Sequence, residues 1–145
     1  MDGRPLLIRD TDLRPVEQAR GISGSAAVDA SLGATRIFFG AGTTAPRSRS
    51  AAHHHGDTET VAYVVSGRMR VYFGERFEEW IEAGPGDIVY IPPFLPHVEE
   101  NPGDEPFHGL VARAPGNVVV TLEDGHREAP PTPPAGRRPR RATSR

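Results

Sequence analysis

Ala51-Ala52-His53-His54-His55-Gly56-Asp57-Thr58-Glu59, read with Gly86-Asp87-Ile88-Val89-Tyr90-Ile91-Pro92-Pro93-Phe94-Leu95-Pro96-His97, decides how this chain folds. Both stretches lie among strand-forming residues. Side chains at i and i+2 of a strand leave the same face. His53 and His55 can therefore share one cavity while His54 points away. Paired imidazoles make a poor apolar core, because each ring carries a donor and an acceptor that need partners. They make a good seat for a transition metal, which favours nitrogen ligands with or without a carboxylate. A solvated histidine run is the plainer alternative. The third histidine, His97, arrives at the end of a further strand and argues against it.

On either side of these stretches, short apolar runs are separated by Gly and Pro, the pattern of an all-β sandwich or barrel. The expected strands are Ala34–Phe39, Ala51–His55, Glu59–Val65, Arg68–Phe73, Phe77–Ile81, Asp87–Ile91, His97–Glu100, Phe107–Arg113 and Asn117–Leu122. Ser66-Gly67 reads as a tight hairpin, Gly74-Glu75-Arg76 and Gly84-Pro85-Gly86 as further turns. Pro92-Pro93 cannot continue a ladder and must end its strand. The segment Thr43–Ser50 reads as a loop leading into the histidines.

The organisation expected is an N-terminal arm at 1–33, a barrel at 34–125 and a Pro/Arg-rich disordered tail at 126–145. In the arm, Leu6–Arg9 is a candidate edge strand, Asp12-Leu13-Arg14-Pro15 a candidate helical turn and Ser23-Gly24-Ser25 a bend. An arm of this kind can exchange between subunits, so a homodimer is expected.

Composition narrows the chemistry. The chain has 145 residues, enough for one core. It has no cysteine, which excludes disulfides and thiolate sites. Every basic residue is arginine, so lysine Schiff-base chemistry is excluded as well. Residues 126–145 carry about +5 and the rest about −7, within a net charge of −2. An acidic body argues against a nucleic acid partner. The short apolar stretch Leu6-Leu7-Ile8 does not open a secretory signal, and no run spans a bilayer, so a cytoplasmic protein without a membrane partner is expected.

At this point the motifs resemble those of the cupin superfamily. One family motif is Gly, five residues, His-x-His, three or four residues, Glu, six residues, Gly. The other is Gly, five residues, Pro-x-Gly, two residues, His, three residues, Asn. Here the second reads Gly86, Pro92-Pro93-Phe94, His97, Asn101, with the inner glycine changed to Phe94. The first reads His53-His54-His55, Glu59 and Gly67, with Arg47 in place of the leading glycine and seven residues between Glu59 and Gly67. Counted back from Gly67, Thr60 takes the glutamate's place. The resemblance covers about residues 34–122. It implies a double-stranded β-helix, or jelly-roll barrel, with the metal and substrate at its mouth.

The resemblance implies His53, His55, Glu59 and His97 as metal ligands. Whether Glu59 or Thr60 faces the metal is left open, since a shift of one residue turns a strand side chain to the other face. One divalent transition metal is expected: iron, zinc, manganese, nickel or copper. Glu59, Tyr63 and Tyr90 are candidate catalytic residues, Tyr63 because it shares Glu59's parity. Phe38, Phe73, Phe94 and Phe107 are candidate pocket walls, and Trp80 reads as packing. Of Arg36, Arg68, Arg70 and Arg113, one pointing inward would clamp a substrate carboxylate. His108 is a weaker acid–base candidate, and His126 lies in the tail. The implied function is a metal-dependent enzyme acting on a small polar or anionic molecule. The reaction would be a dioxygenation, isomerisation, decarboxylation or rearrangement in small-molecule or natural-product metabolism. A non-catalytic small-molecule or metal-binding module is the alternative.

Overall fold

A computed structural model describes residues 3–122. The tail at 126–145 and His126 lie outside the described residues. Eleven strands follow in chain order: β1 (Arg14–Val16), β2 (Ser23–Val28), β3 (Phe38–Thr44), β4 (His53–His54), β5 (Glu59–Ser66), β6 (Met69–Phe73), β7 (Glu79–Ala83), β8 (Ile88–Ile91), β9 (Val98–Glu100), β10 (Phe107–Ala114) and β11 (Val120–Thr121). Short 3-10 turns occupy Asp10–Asp12 and Ala30–Leu32.

The strands form a six-stranded sheet in the order β1-β2-β3-β10-β5-β8, a three-stranded sheet β7-β6-β9, and the pair β11-β4. All pairings are antiparallel. Strand order departs from chain order because the chain crosses repeatedly between the two larger sheets, as a double-stranded β-helix requires. Among the described residues no helix is long and apolar enough to cross a membrane.

Alternation fixes what each strand buries. On β5, Thr60, Ala62 and Val64 are buried, while Glu59, Val61, Tyr63 and Val65 are exposed. Ala62 and Val64 meet Met69, Val71, Val89, Ile91 and Phe107 in the core between the sheets. Each large side chain there contributes about 1.5–3 kcal/mol by leaving water. A second cluster, Tyr72, Phe77 and Val98 with Trp80, packs elsewhere against the three-stranded sheet. The Ser66-Gly67 turn between β5 and β6 needs its glycine. Gly67 has φ 80°, and a Cβ there would stand 2.6 Å from the Pro106 carbonyl oxygen.

Several local expectations shift. The strand expected at Ala34–Phe39 starts at Phe38 and runs to Thr44, because Gly33 at φ 95° closes a 3-10 turn just before it. Thr43 and Thr44 thereby leave the expected loop and join the strand. Phe77 has φ 57°, outside the strand region, so β7 begins only at Glu79. Leu6–Arg9 forms no strand, and the helical turn expected at Asp12–Pro15 gives way to a 3-10 turn at Asp10–Asp12 followed by β1. Ser23-Gly24-Ser25 is paired strand rather than bend: it opposes Thr43, Gly42 and Ala41 on β3.

The two residues standing at the motif glycines both adopt positive φ: Arg47 at 57° and Phe94 at 59°. Those positions demand the left-handed region whatever occupies them, which is why a glycine suits them.

The interior is apolar toward one end and polar toward the other. On β10 the buried residues run from Phe107 at the apolar end to Arg113 at the polar end, where Arg113 pairs across with Thr60 on one side and Phe38 on the other.

Candidate metal centre

His53 and His97 face each other through a two-way backbone bridge: His53 N–H donates to the His97 carbonyl at 3.0 Å and His97 N–H to the His53 carbonyl at 2.9 Å. His55 follows two residues after His53 on the same face. The chain then turns sharply. Thr58 N–H donates to the His55 carbonyl at 3.1 Å, and its hydroxyl to the same oxygen at 2.6 Å. The three rings converge, with centroids 4.3, 5.0 and 5.2 Å apart. They are 1%, 2% and 0% exposed, so water solvates none of them.

Each ring is oriented by a backbone carbonyl. Nδ1 lies 2.8 Å from the Ala51 oxygen in His53, 2.7 Å from the Val118 oxygen in His55 and 2.9 Å from the Leu95 oxygen in His97. A carbonyl only accepts, so each Nδ1 carries the proton and each Nε2 keeps its lone pair. One ligand atom from each ring lies within 4.8 Å of the others. The Nε2 atoms of His55 and His97 are buried with no hydrogen-bond partner. Leaving a buried polar atom unsatisfied costs about 1–3 kcal/mol. An ion accepting those lone pairs removes the deficit, so the donor set fits a divalent transition metal.

Electrostatics agree. Burial holds the His97 imidazolium well below its usual range, aided by His53, and burial likewise lowers His53. Burial, then the Arg113 charge, brings His55 down to about 3. All three rings are therefore neutral near pH 7, as ligation requires.

Glu59, proposed from the resemblance as a ligand, is not brought into this cluster. It is exposed, and its carboxylate accepts the Tyr90 hydroxyl at 2.8 Å on the outer face. Thr60 is the residue that faces in. Six residues then separate Thr60 from Gly67, the family's own spacing, and the register with β10 shifts only at the far end of β5, between His108 and Gly109. Alternation from Thr60 to Val64 is unbroken, so nothing turns Glu59 inward. Tyr63 and Tyr90 share its outward face, at 43% and 53% exposed, and are removed from the site with it.

Of the pocket-wall aromatics, Phe38 and Phe107 are buried, Phe73 is partly buried and Phe94 is exposed. Trp80 packs under the Arg70 guanidinium, 4.8 Å away. Arg36 is exposed in a bend. Arg68 and Arg70 both pair with Glu82. Arg113 alone of the four reaches the polar end of the interior. His54 turns away, its Nδ1 accepting from Gly56 N–H at 3.0 Å, and exposed His108 lies 3.3 Å from the Thr43 hydroxyl.

One group escaped the sequence reading. Glu99 opposes Val71 across β9 and β6, and Val71 belongs to the core between the sheets, so Glu99 shares that inward face. Its charge acts on both His53 and Arg113. The signal was present: His97-x-Glu99 carries the same i, i+2 parity as His53-x-His55.

The sequence pattern of the cupin domain matches residues 41–113. The glucose-6-phosphate isomerase of Thermococcus kodakarensis is 39% identical over 88 residues, 50% of this chain and 47% of that protein. The chain thus spans about half the length of this relative. Among solved structures, the polyketide cyclase RemF from Streptomyces resistomycificus superposes with a TM-score of 0.69 at 22% identity, over 85% of this chain and 90% of that one. Oxalate decarboxylase from Bacillus subtilis superposes with a TM-score of 0.62 at 24% identity, over 75% of this chain and 29% of that one. With the motifs, the antiparallel double-stranded β-helix and the three convergent imidazoles in agreement, the chain belongs to the cupin domain family.

Proposed function

We propose that this chain is a metal-dependent cupin enzyme acting on a small polar or anionic molecule, by isomerisation, cyclising rearrangement or decarboxylation. The observation that carries the reading is the pair of buried Nε2 atoms on His55 and His97 with no partner. Three neutral imidazoles and no carboxylate would hold one divalent ion and leave it open positions; iron, zinc, manganese, nickel and copper all suit such donors. When bound, that ion supplies positive charge to a carbonyl or hydroxyl oxygen of the substrate. Glu99, on the inward face, takes or returns a proton at its carboxylate. His53, His55 and His97, held through their Nδ1 protons, stay fixed as ligands rather than acting as proton carriers. Relatives named for isomerisation, cyclisation and decarboxylation support a reading in which charge on oxygen is stabilised without net oxidation.

The same reading includes a homodimer in the cytoplasm. On the outer face of the six-stranded sheet, Ile88, Tyr63 and Leu110 form one row across neighbouring strands, and Tyr90 and Val61 stand in the next with Phe39 beyond. All six are exposed. Apolar patches of this kind mark contact surfaces when they reach on the order of several hundred Å².

The test combines metal content and turnover. Protein purified without a metal-affinity tag is expected to hold about one divalent ion per chain. His97→Ala is expected to lose it and His54→Ala to keep it. Metal-loaded protein is then incubated in D2O with small α-oxo acids and sugar phosphates and followed by NMR. Deuterium incorporation or product supports an enzyme. Saturable binding without exchange points to the binding module instead, and equal metal content in both variants overturns the site.

A further inference from the structure

We propose that Arg113 is the seat for an anionic oxygen group, carboxylate or phosphate, on the molecule this site takes; the proposal deepens the functional reading above and rests on it for the neighbouring metal. Arg113 is 5% exposed. Its Nε donates to the Thr60 hydroxyl at 3.3 Å, and its Nη1 donates to the Gln18 side-chain oxygen at 3.1 Å and to the Asn117 side-chain oxygen. Its guanidinium also lies 5.7 Å from the centre of the Phe38 ring. All of these partners are neutral. Nη2 makes no hydrogen bond, and among the described residues no carboxylate comes within 4.0 Å of the guanidinium.

This is unusual within the molecule itself. The other buried arginine among the described residues, Arg70, bonds Glu82 at 2.8 Å and has Glu100 at 3.9 Å. A charge taken out of water without a counter-charge is strongly unfavourable, and it persists where something else gains from it. Arg113 also sits where its field falls on the histidines, since it disfavours the protonated form of all three. A divalent ion on those imidazoles adds positive charge to the same chamber. Glu99 is the one described carboxylate whose charge reaches Arg113, and it stands beyond ion-pair distance. The chamber is therefore cationic, with a guanidinium edge free of partners. An anionic oxygen on Nη2 would meet a charge-assisted donor. Gln18, Thr60 and Asn117 hold the guanidinium still by engaging its other two nitrogens.

The experiment compares pyruvate with pyruvamide, nearly equal in shape but differing in charge, and with inorganic phosphate. Each is titrated calorimetrically into the full chain loaded with zinc, and melting temperature and zinc content are recorded alongside. Wild type is expected to bind pyruvate or phosphate at least tenfold more tightly than pyruvamide. Arg113→Gln is expected to erase that preference while keeping wild-type zinc content. Preference for one anion alone identifies carboxylate or phosphate as the group recognised. An unchanged preference in Arg113→Gln overturns the proposal. So does a wild-type chain that does not discriminate pyruvate or phosphate from pyruvamide, a result that needs no variant to fold. Absence of zinc from the wild type would instead sink the metal reading, and the same titrations on metal-free chain would then judge Arg113 alone.

Discussion

Acid should unfold this protein through its own metal ligands. His55 is 2% exposed, and its folded pKa is pushed down to about 3 by burial first and then by the Arg113 charge. In the unfolded chain the same ring titrates near 6.5. Between those values the unfolded state binds a proton that the folded state refuses, so stability falls as pH falls. The contribution is fully present above the unfolded value, declines through the window and is gone below about 3. The slope is about 1.4 kcal/mol per pH unit, so about 2 kcal/mol is lost from His55 alone between pH 6.5 and roughly 5. His53 and His97 are shifted in the same direction and steepen the fall.

The assay is urea unfolding of chelator-treated protein at steps across that window, for wild type and His55→Asn. The asparagine amide can still donate to the Val118 carbonyl, which His55 Nδ1 meets at 2.7 Å, so the variant removes the titration and keeps the anchor. The variant's curve should be shallower by about one proton, or about 1.4 kcal/mol per pH unit. Parallel curves for the two proteins would refute the argument, because they would mean that His55 is hydrated in the folded state.

Three further outcomes are expected. Asn101→Ala removes the amide that donates to the Thr44 carbonyl at 3.1 Å and the Glu105 carbonyl at 2.8 Å and accepts from Gly103 N–H at 3.0 Å; with the residue 1% exposed, the loss should be about 2–4 kcal/mol, read as a lower urea midpoint at constant slope. Phe94→Gly relieves a φ of 59° in a side chain that is 62% exposed, and a gain of about 0.5–1 kcal/mol should appear as a higher melting temperature. Glu59→Gln should leave metal content unchanged and stability within about 0.5 kcal/mol, and metal loss in that variant would return Glu59 to the site.

Pro92-Pro93 ends β8 at Ile91, as a residue without an N–H must. Ser66-Gly67 turns where a glycine was required. The N-terminal segment was less legible. Ser23-Gly24-Ser25 has the composition of a bend, yet it lies in a strand because Gly40 on β3 lets the two backbones approach: a Cβ there would stand 2.1 Å from the Ser25 carbonyl oxygen. Arg47 and Phe94 occupy turn positions that favour glycine, so composition alone did not announce their conformation.

That His53 and His55 share a face, that His54 does not, and that an all-β barrel surrounds them was legible from the amino acids alone. Those are consequences of a two-residue period and of local turn chemistry, carried by neighbours in the chain. Pairing between distant strands is what turns Thr60 rather than Glu59 inward, brings Arg113 rather than Arg36, Arg68 or Arg70 into the chamber, and adds Glu99 to them. The outer residues of β5, Val61, Tyr63 and Val65, are as apolar as the inner Ala62 and Val64, so hydrophobicity cannot choose between the two faces. The choice is made by what β5 is paired to: the turn held by Thr58 at one end, Ile91 on one side and Arg113 on the other.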